Sequence, residues 1–584
     1  MKKTKSTFIF KLITFSIPFV FFIGLEFALK ILGYGIDLPL FIDTPDSKNY
    51  SLARPDIIKR YFPNTNNIPS VTMEANLFLK EKPKNGLRIF VQGGSTAAGF
   101  PYGFGASPAG LLDQRLSRTF PNRTVEVINT AMSAVNSYTL LDFVDEIIEQ
   151  KPDAVLIYTG HNEYLGILGV GSNYTATNSH AANLMFLKLR GFKTFQLMQN
   201  TYALFVAEDS EALTDIDSEQ HLKNKRTMMA KVAKNKSIDK RSDVFLEGLD
   251  QFEYNIGIIL SKYQKAKIPV LISTVASNHK DQPPFSSVKT KSNDLLQLNR
   301  IFNEIQSGEK FSKYQHEISR LLVLALKDWN AEIFYKLAKI YELGGKTKEA
   351  KSYYVEAKER DLLRFRAPEG INDIIRDQAK KYGAILVNYK NNLTRGSPNG
   401  LIGNNFMLEH LHPNLQGYFI LADSFYQKLK AEKLFGDWKN SVATSQAWKE
   451  RPIIAAEEYA GFAKIIRLKS DYPYTKTPKE VVLPKPSDWQ QEIGLKYYSK
   501  EINWLQMLNL SYKGYLERRN LPMVLKTSEM IADAIPFNTK VNFRVAKQQL
   551  QAGNKLAAKR FFQRAVLEEP TNKKYKTALS TINN

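Results

Sequence analysis

The strongest constraint in this chain is an alternation of short apolar runs with amphipathic segments, beginning near Arg88. Ile89 to Gln92 reads as a buried strand, and Gly93 and Gly94 release the backbone into a turn that carries Ser95 and Thr96. Gly99-Phe-Pro-Tyr-Gly-Phe-Gly105 is too glycine-rich for a helix, whereas Pro108 to Thr119 sets Leu111, Leu112 and Leu116 on one helical side. Val125–Asn129 reads as the next strand, Leu140–Glu149 as an amphipathic helix and Pro152–Tyr158 as a third strand. Farther on, Val244–Lys267 reads as a helix, Ile268–Thr274 and Tyr382–Asn388 as two more strands, and Leu415–Leu429 as a closing helix. Strand, helix and strand at this spacing predict a parallel sheet with helices on its faces. Sites in such sheets form beyond the carboxyl ends of the strands, where Ser95, Asn129 and the turn Gly160-His161-Asn162-Glu163 all fall. Ser273 and Asn278, at the end of the fourth strand, are further candidates for lining a pocket there.

The chain has 584 residues, several times a typical domain of roughly 100–150, so more than one unit is expected. Its 43% hydrophobic content suffices for packed cores. With no cysteine, disulfides, thiolate metal sites and cysteine nucleophiles are excluded. The net charge of +23 fits either an anionic partner or a lysine-rich surface. The lysines are spread along the chain and no nucleic-acid motif accompanies them, so no nucleic-acid partner is expected.

Lys2, Lys3 and Lys5 precede a mainly apolar run from Phe8 to Leu25, just long enough for the roughly 30 Å core of a bilayer. No small-x-small cleavage site follows, and Glu26 to Leu32 continues as a helix, which favours an uncleaved anchor over a signal peptide. The leading lysines predict a cytoplasmic N-terminus, with the body of the chain outside the cytoplasm as a single-pass membrane protein.

Taken together, the strand-end blocks resemble those of the SGNH (GDSL-type) serine hydrolases, in the right order along the chain. The serine block is Gly-Gly-Ser-Thr around Ser95. The second block, normally an Asn followed by a glycine amide, is Asn129 with Ala134 in the glycine's place. The third is Gly160-His161-Asn162-Glu163, and the last is Glu409-His410-Leu411-His412, with Glu where Asp is usual. The resemblance implies a flavodoxin-like three-layer α/β/α fold and acyl transfer through a serine, with no cofactor and no metal. It implies Ser95 as nucleophile, His412 as base (His410 being the rival) and Glu409 as the acid that orients the base. The Ser95 and Ala134 amides and the Asn162 side chain would form an oxyanion hole. Gly94, Thr96, Asn129, His161 and Glu163 would line the substrate pocket, although Asn129 is equally suited to bonding its own turn. The implied substrate is an acyl ester of a glycan or lipid. The alternative is a catalytically idle scaffold of the same fold.

The remaining segments are helical or irregular. Residues 1–35 are the anchor and 36–85 a linker or lid; 86–291 and 362–435 form the two parts of the hydrolase domain. Between them 292–361 is a helical insertion, in which Phe334, Leu337, Ala338, Tyr341, Ala350, Tyr354 and Ala357 fall at tetratricopeptide-like spacings. One such repeat cannot bury its own face, so it must pack on Leu321, Leu322 and Leu326 of the preceding helix or on the hydrolase domain. Residues 436–500, rich in Pro, Trp and Lys, read as a connector with little regular structure. Residues 501–584 repeat the tetratricopeptide-like theme, either as a protein-binding groove or as a cap packed on the enzyme.

Overall fold

A computed structural model describes residues 2–62, 71–74, 76–173, 179–208, 226–233, 237–289 and 292–583, and the chain divides into two compact units. The first unit takes residues 1–40, 54–72 and 176–225. Its N-terminal helix, Lys2–Ile31, includes a 22-residue stretch, Phe10–Ile31, with a mean hydropathy of 2.1, long and apolar enough to cross a membrane. Phe15, Phe19, Phe21 and Ile23 on this helix are exposed. Beside its C-terminal end lies the helix Lys193–Glu208: the Thr194 amide and hydroxyl both donate to the Glu26 carboxylate, at 2.9 and 3.1 Å. Residues 176–225, read from sequence as part of the hydrolase domain, therefore cluster with the anchor segment instead. Much of this stretch, 209–225, lies outside the described residues.

The second unit takes residues 41–53, 73–175 and 226–584. Its centre is a five-stranded parallel sheet formed by β4 (Gly86–Gly93), β5 (Thr124–Asn129), β6 (Ala154–Tyr158), β7 (Val270–Ser273) and β8 (Ile385–Val387), in the order β5-β4-β6-β7-β8. Numbered among themselves the strands run 2-1-3-4-5, the flavodoxin-like order expected. The first crossover and the later ones leave β4 in opposite directions. Right-handed connections then put the helix Pro108–Thr119 on one face and Ser137–Glu149, Asp243–Lys265 and Glu369–Tyr382 on the other. Buried Gln92 on β4 confirms the second group, since its side chain bonds Leu140 O at 3.0 Å and the Tyr263 hydroxyl at 2.8 Å. Leu415–Ala431 packs against Pro108–Thr119 and completes the three layers.

Every residue of β4 is buried, including Arg88. Its guanidinium is matched across the ladder by Glu126, its register partner on β5, with Nε donating to Oε2 at 2.9 Å. The fifth strand is shorter than the apolar run suggests. Tyr382 still belongs to the preceding helix, which Gly383 ends at φ +67.

The stretch read as linker or lid is built otherwise. β1 (Phe41–Asp43), β2 (Tyr50–Ala53) and β3 (Leu77–Leu79) form an antiparallel sheet. Asn76 brackets the edge strand β5, accepting from Asn129 N and donating to Val127 O, both at 3.0 Å. Capping an edge strand in this way removes a free hydrogen-bonding row.

Between β7 and β8 the helical insertion is present. Ala331–Leu343 and Thr347–Glu359 form a hairpin whose Ala338, Ala350 and Tyr354 are buried together. Leu321 is buried and Leu322 packs against the same core, but Leu326 is 54% exposed and takes no part. Residues 436–500 are far more regular than their composition suggests, with helices at Thr444–Glu450, Ala455–Lys469 and Trp489–Tyr498. The run AAEEYAGFAKIIRLK buries Tyr459, Ile465 and Leu468 together with the small residues Ala456, Ala460, Gly461 and Ala463, so half of its apolar face lacks large side chains. Two helix hairpins follow, Trp504–Glu517 with Leu521–Ala534 and Thr539–Gln551 with Lys555–Glu568. They are tied to the body of the unit: Arg118 pairs with Glu450 at 2.7 Å and Glu529 at 3.5 Å. Ser47 and Asn49 each donate to Glu568 at 2.9 Å.

Candidate active site

β4 runs into Gly93 and Gly94, and Ser95 opens a single helical turn, Ser95–Ala98, that Gly99 closes at φ +94. Space dictates the two glycines. A Cβ on Gly93 would stand 2.1 Å from Tyr158 O on the neighbouring strand, and one on Gly94 would stand 3.0 Å from Asn162 Nδ2. As the first residue of its turn, Ser95 has an amide with no partner inside the helix.

The second component arrives from the far end of the domain. Asn414 caps Leu415–Ala431 by accepting from Gly417 N at 3.0 Å, and the residues just before it form a tight turn in which Leu408 N donates to His412 O at 2.8 Å. Inside this turn Glu409 is fully buried. Its Oε1 accepts from the His412 amide at 2.8 Å and from the His412 ring at Nδ1. His412 Nε2 lies 2.8 Å from Ser95 Oγ. A carboxylate can only accept, so the ring proton sits on Nδ1 and the Nε2 lone pair faces the serine. Burial pushes the imidazole down, to about 3, which keeps it in the neutral form a base requires. Phe100 packs against it, ring centroids 4.7 Å apart.

His410, the rival base, turns to the other side of Glu409. Its amide donates to Glu409 Oε2 at 2.6 Å, and its Nδ1 meets the same oxygen and lies 2.8 Å from the Tyr474 hydroxyl. The Tyr474 hydroxyl also donates to Glu409 Oε2, at 2.7 Å. The ligand atoms of Glu409, His410 and His412 lie within 4.8 Å of one another, close enough to hold a cation. Both Glu409 oxygens are already engaged, however, and His412 Nε2 faces Ser95.

A cavity of about 10 Å³ opens beside the serine, lined by Gly94, Ser95, Thr96, Val135, Gly160, His161 and Asn162 among others. Of the residues expected around the substrate, it gathers Gly94, Thr96 and His161, with Asn162 at its wall. Asn162 Nδ2 donates to Val135 O at 3.1 Å. Ala134, next to Val135, has φ +62, a left-handed conformation that glycine adopts without strain. Its Cβ is the cost of having alanine at this block.

Two expected pocket residues point elsewhere. Asn129 spends its side chain on backbone, accepting from Ala131 N of its own turn at 3.0 Å and donating to Ala97 O of the turn that carries Ser95 at 3.2 Å. Glu163 is fully buried away from the cavity, where Ser137 Oγ and Gln251 Nε2 each donate to it at 2.7 Å. Burial pushes its carboxyl up to about 7. Glu163 thus anchors the start of the helix Ser137–Glu149 and does not reach the substrate space. Asn278 Nδ2 bonds Asn404 at 2.9 Å, and Ser273 bonds the carbonyl of Thr274; both are buried in the fold. Sequence reading missed Phe100 and Tyr474. Phe100 lies in a stretch recognised only as too glycine-rich for a helix, and Tyr474 lies in the supposed connector.

No family model matches the chain, and no curated protein does. Among solved structures, it is similar to a GDSL-like lipase from Bacteroides thetaiotaomicron, with 12% identity over 60% of this chain and 92% of that one, at a TM-score of 0.26. An acetyl xylan esterase, AlAXEase, is 12% identical over 58% of this chain and 98% of its own, at a TM-score of 0.26. A lipase/acylhydrolase from Enterococcus faecalis is 12% identical over 59% and 96%, also at 0.26. At such scores the chemistry rests on the geometry of the site alone.

Proposed function

We propose that the protein is a serine esterase that acts through an acyl-enzyme. The observation that carries this is the continuous relay from Glu409 through His412 to Ser95 Oγ, closed at 2.8 Å. Ser95 Oγ attacks the ester carbonyl carbon while His412 Nε2 takes its proton. The carbonyl oxygen becomes an oxyanion, held by the Ser95 and Ala134 amides and the Asn162 side chain. Collapse of this intermediate expels the alcohol, which takes the proton from His412 and leaves the acyl group on Ser95. Water, or the hydroxyl of an acceptor, then adds to the acyl carbon with His412 again as base. The second collapse releases acid, or a new ester, and regenerates the serine.

The relay at Ser95 suits an acyl ester as substrate. Together with the apolar N-terminal helix, this favours removal or transfer of acyl groups on an envelope glycan by a membrane-tethered enzyme facing away from the cytoplasm. An idle scaffold would have no use for a buried carboxylate aimed through a neutral histidine at a serine.

Turnover of p-nitrophenyl acetate tests the reaction class. Asn162→Ala is expected to lower kcat by about 10²–10³-fold, the usual cost of one oxyanion donor, with little change in KM. An unchanged kcat would remove Asn162 from the oxyanion hole. Wild-type protein that turns over no short ester would exclude the esterase.

A further inference from the structure

We propose that Tyr474, from the region beyond the α/β core, is a positioning residue that completes the catalytic triad by fixing Glu409. The inference rests on the serine-esterase function proposed above. The acidic member here is glutamate, whose extra methylene adds a torsion that an aspartate lacks. A carboxylate on that longer arm can face His412 correctly only if its other oxygen is also held. Three groups meet it: the His410 amide at 2.6 Å, the His410 ring at Nδ1, and the Tyr474 hydroxyl at 2.7 Å. The amide comes with the turn, but the hydroxyl comes from a separate part of the chain. Burial holds the Tyr474 phenol well above its ordinary range, so it remains a donor at any working pH.

Tyr474 is itself held from several sides. Its amide donates to Asp471 O at 3.0 Å, and the Asp471 carboxylate accepts from Thr227 N at 2.7 Å and Arg226 Nε at 2.8 Å. Its ring meets Phe285 edge-on at 5.2 Å, and Phe285 also packs against the His410 ring at 5.4 Å. The helix Ala455–Lys469, which leads into this segment, reaches the opposite side of His412. Lys464 Nζ donates to Pro101 O at 2.9 Å, steadying the loop from which Phe100 packs on the imidazole. The residues after 436 therefore take part in building the active site as well as decorating it.

The test uses the full chain with Tyr474→Phe, which keeps the ring and removes the hydroxyl, and normalises rates to the sites titrated by a fluorophosphonate. Loss of the donor is expected to lower kcat on p-nitrophenyl acetate by about 10- to 100-fold, the range for a hydrogen bond to a charged group, with KM within about twofold. Without Tyr474, more of the carboxylate charge falls on Oε1 and holds the imidazolium more tightly. The His412 pKa then rises, so the acid limb of kcat/KM moves to higher pH. Glu409→Asp supplies the second arm. Its shorter carboxylate cannot reach both His412 and Tyr474, so adding Tyr474→Phe to Glu409→Asp is expected to cost nothing further. An unchanged kcat per titrated site with an unmoved acid limb, whatever the change in melting temperature, would overturn the positioning role. Equal, multiplying losses in both backgrounds would overturn it too. If wild-type protein titrates no site, the esterase function fails first, and the inference falls with it.

Discussion

Replacing His412 by alanine is expected to lower kcat on a short acyl ester by about 10⁵–10⁶-fold, the scale on which loss of the base disables a serine nucleophile. His412 makes the one contact to Ser95 Oγ that can accept its proton, and His410 faces away from the serine toward Tyr474. Of the two imidazoles of this turn, His412 alone meets the serine among the described residues. KM is expected to move by no more than a few-fold, because the ring acts on the proton and not on substrate binding. Steady-state kinetics on p-nitrophenyl acetate, with circular dichroism to confirm folding, check the result. A loss below about 100-fold would place the base elsewhere.

Glu409→Gln is expected to cost about 10⁴-fold in kcat with the fold intact, and the reason lies in the hydrogen-bond directions around the carboxylate. One side of Glu409 meets His410 N, the His410 ring at Nδ1 and Tyr474 OH. A glutamine would turn its carbonyl oxygen to that side, which leaves its NH₂ facing His412 Nδ1. The imidazole would then accept at Nδ1 and carry its proton on Nε2, toward Ser95. In that tautomer it cannot receive the serine proton. Because an amide donor would also oppose the His412 amide, a modest fall in melting temperature is expected alongside. Glu409→Gln activity within tenfold of wild type would mean that the carboxylate does not set the tautomer.

The strand-end blocks were legible because short-range chemistry dictates them. A serine beyond a strand needs Gly93 and Gly94 for clearance from Tyr158 and Asn162, and those glycines stand in the sequence beside it. Alternation likewise announced a parallel sheet, whereas the flavodoxin-like order of its strands was implied only by the resemblance of the blocks. Direction within a turn was not legible. Asn162 and Glu163 are neighbours, yet one faces the cavity beside Ser95 while the other is drawn into the helix layer by Ser137 and Gln251. Residue type records that both can bond, and packing alone decides where. Tyr474 shows the larger limit. Its partner, Glu409, is remote in sequence, and no local pattern around Tyr474 points to that contact. Asn129 was open to two uses from the start, and the backbone of its own turn and of the serine turn shares it.

The most direct test of the central claim is mass-spectrometric mapping of the adduct formed with a fluorophosphonate, on wild-type protein and on Ser95→Ala. A serine activated by His412 should carry a single phosphonyl group, on the peptide containing Ser95, and Ser95→Ala should carry none. Absence of that adduct from folded wild-type protein, or its persistence at another residue in Ser95→Ala, would contradict the assignment of Ser95 as the nucleophile.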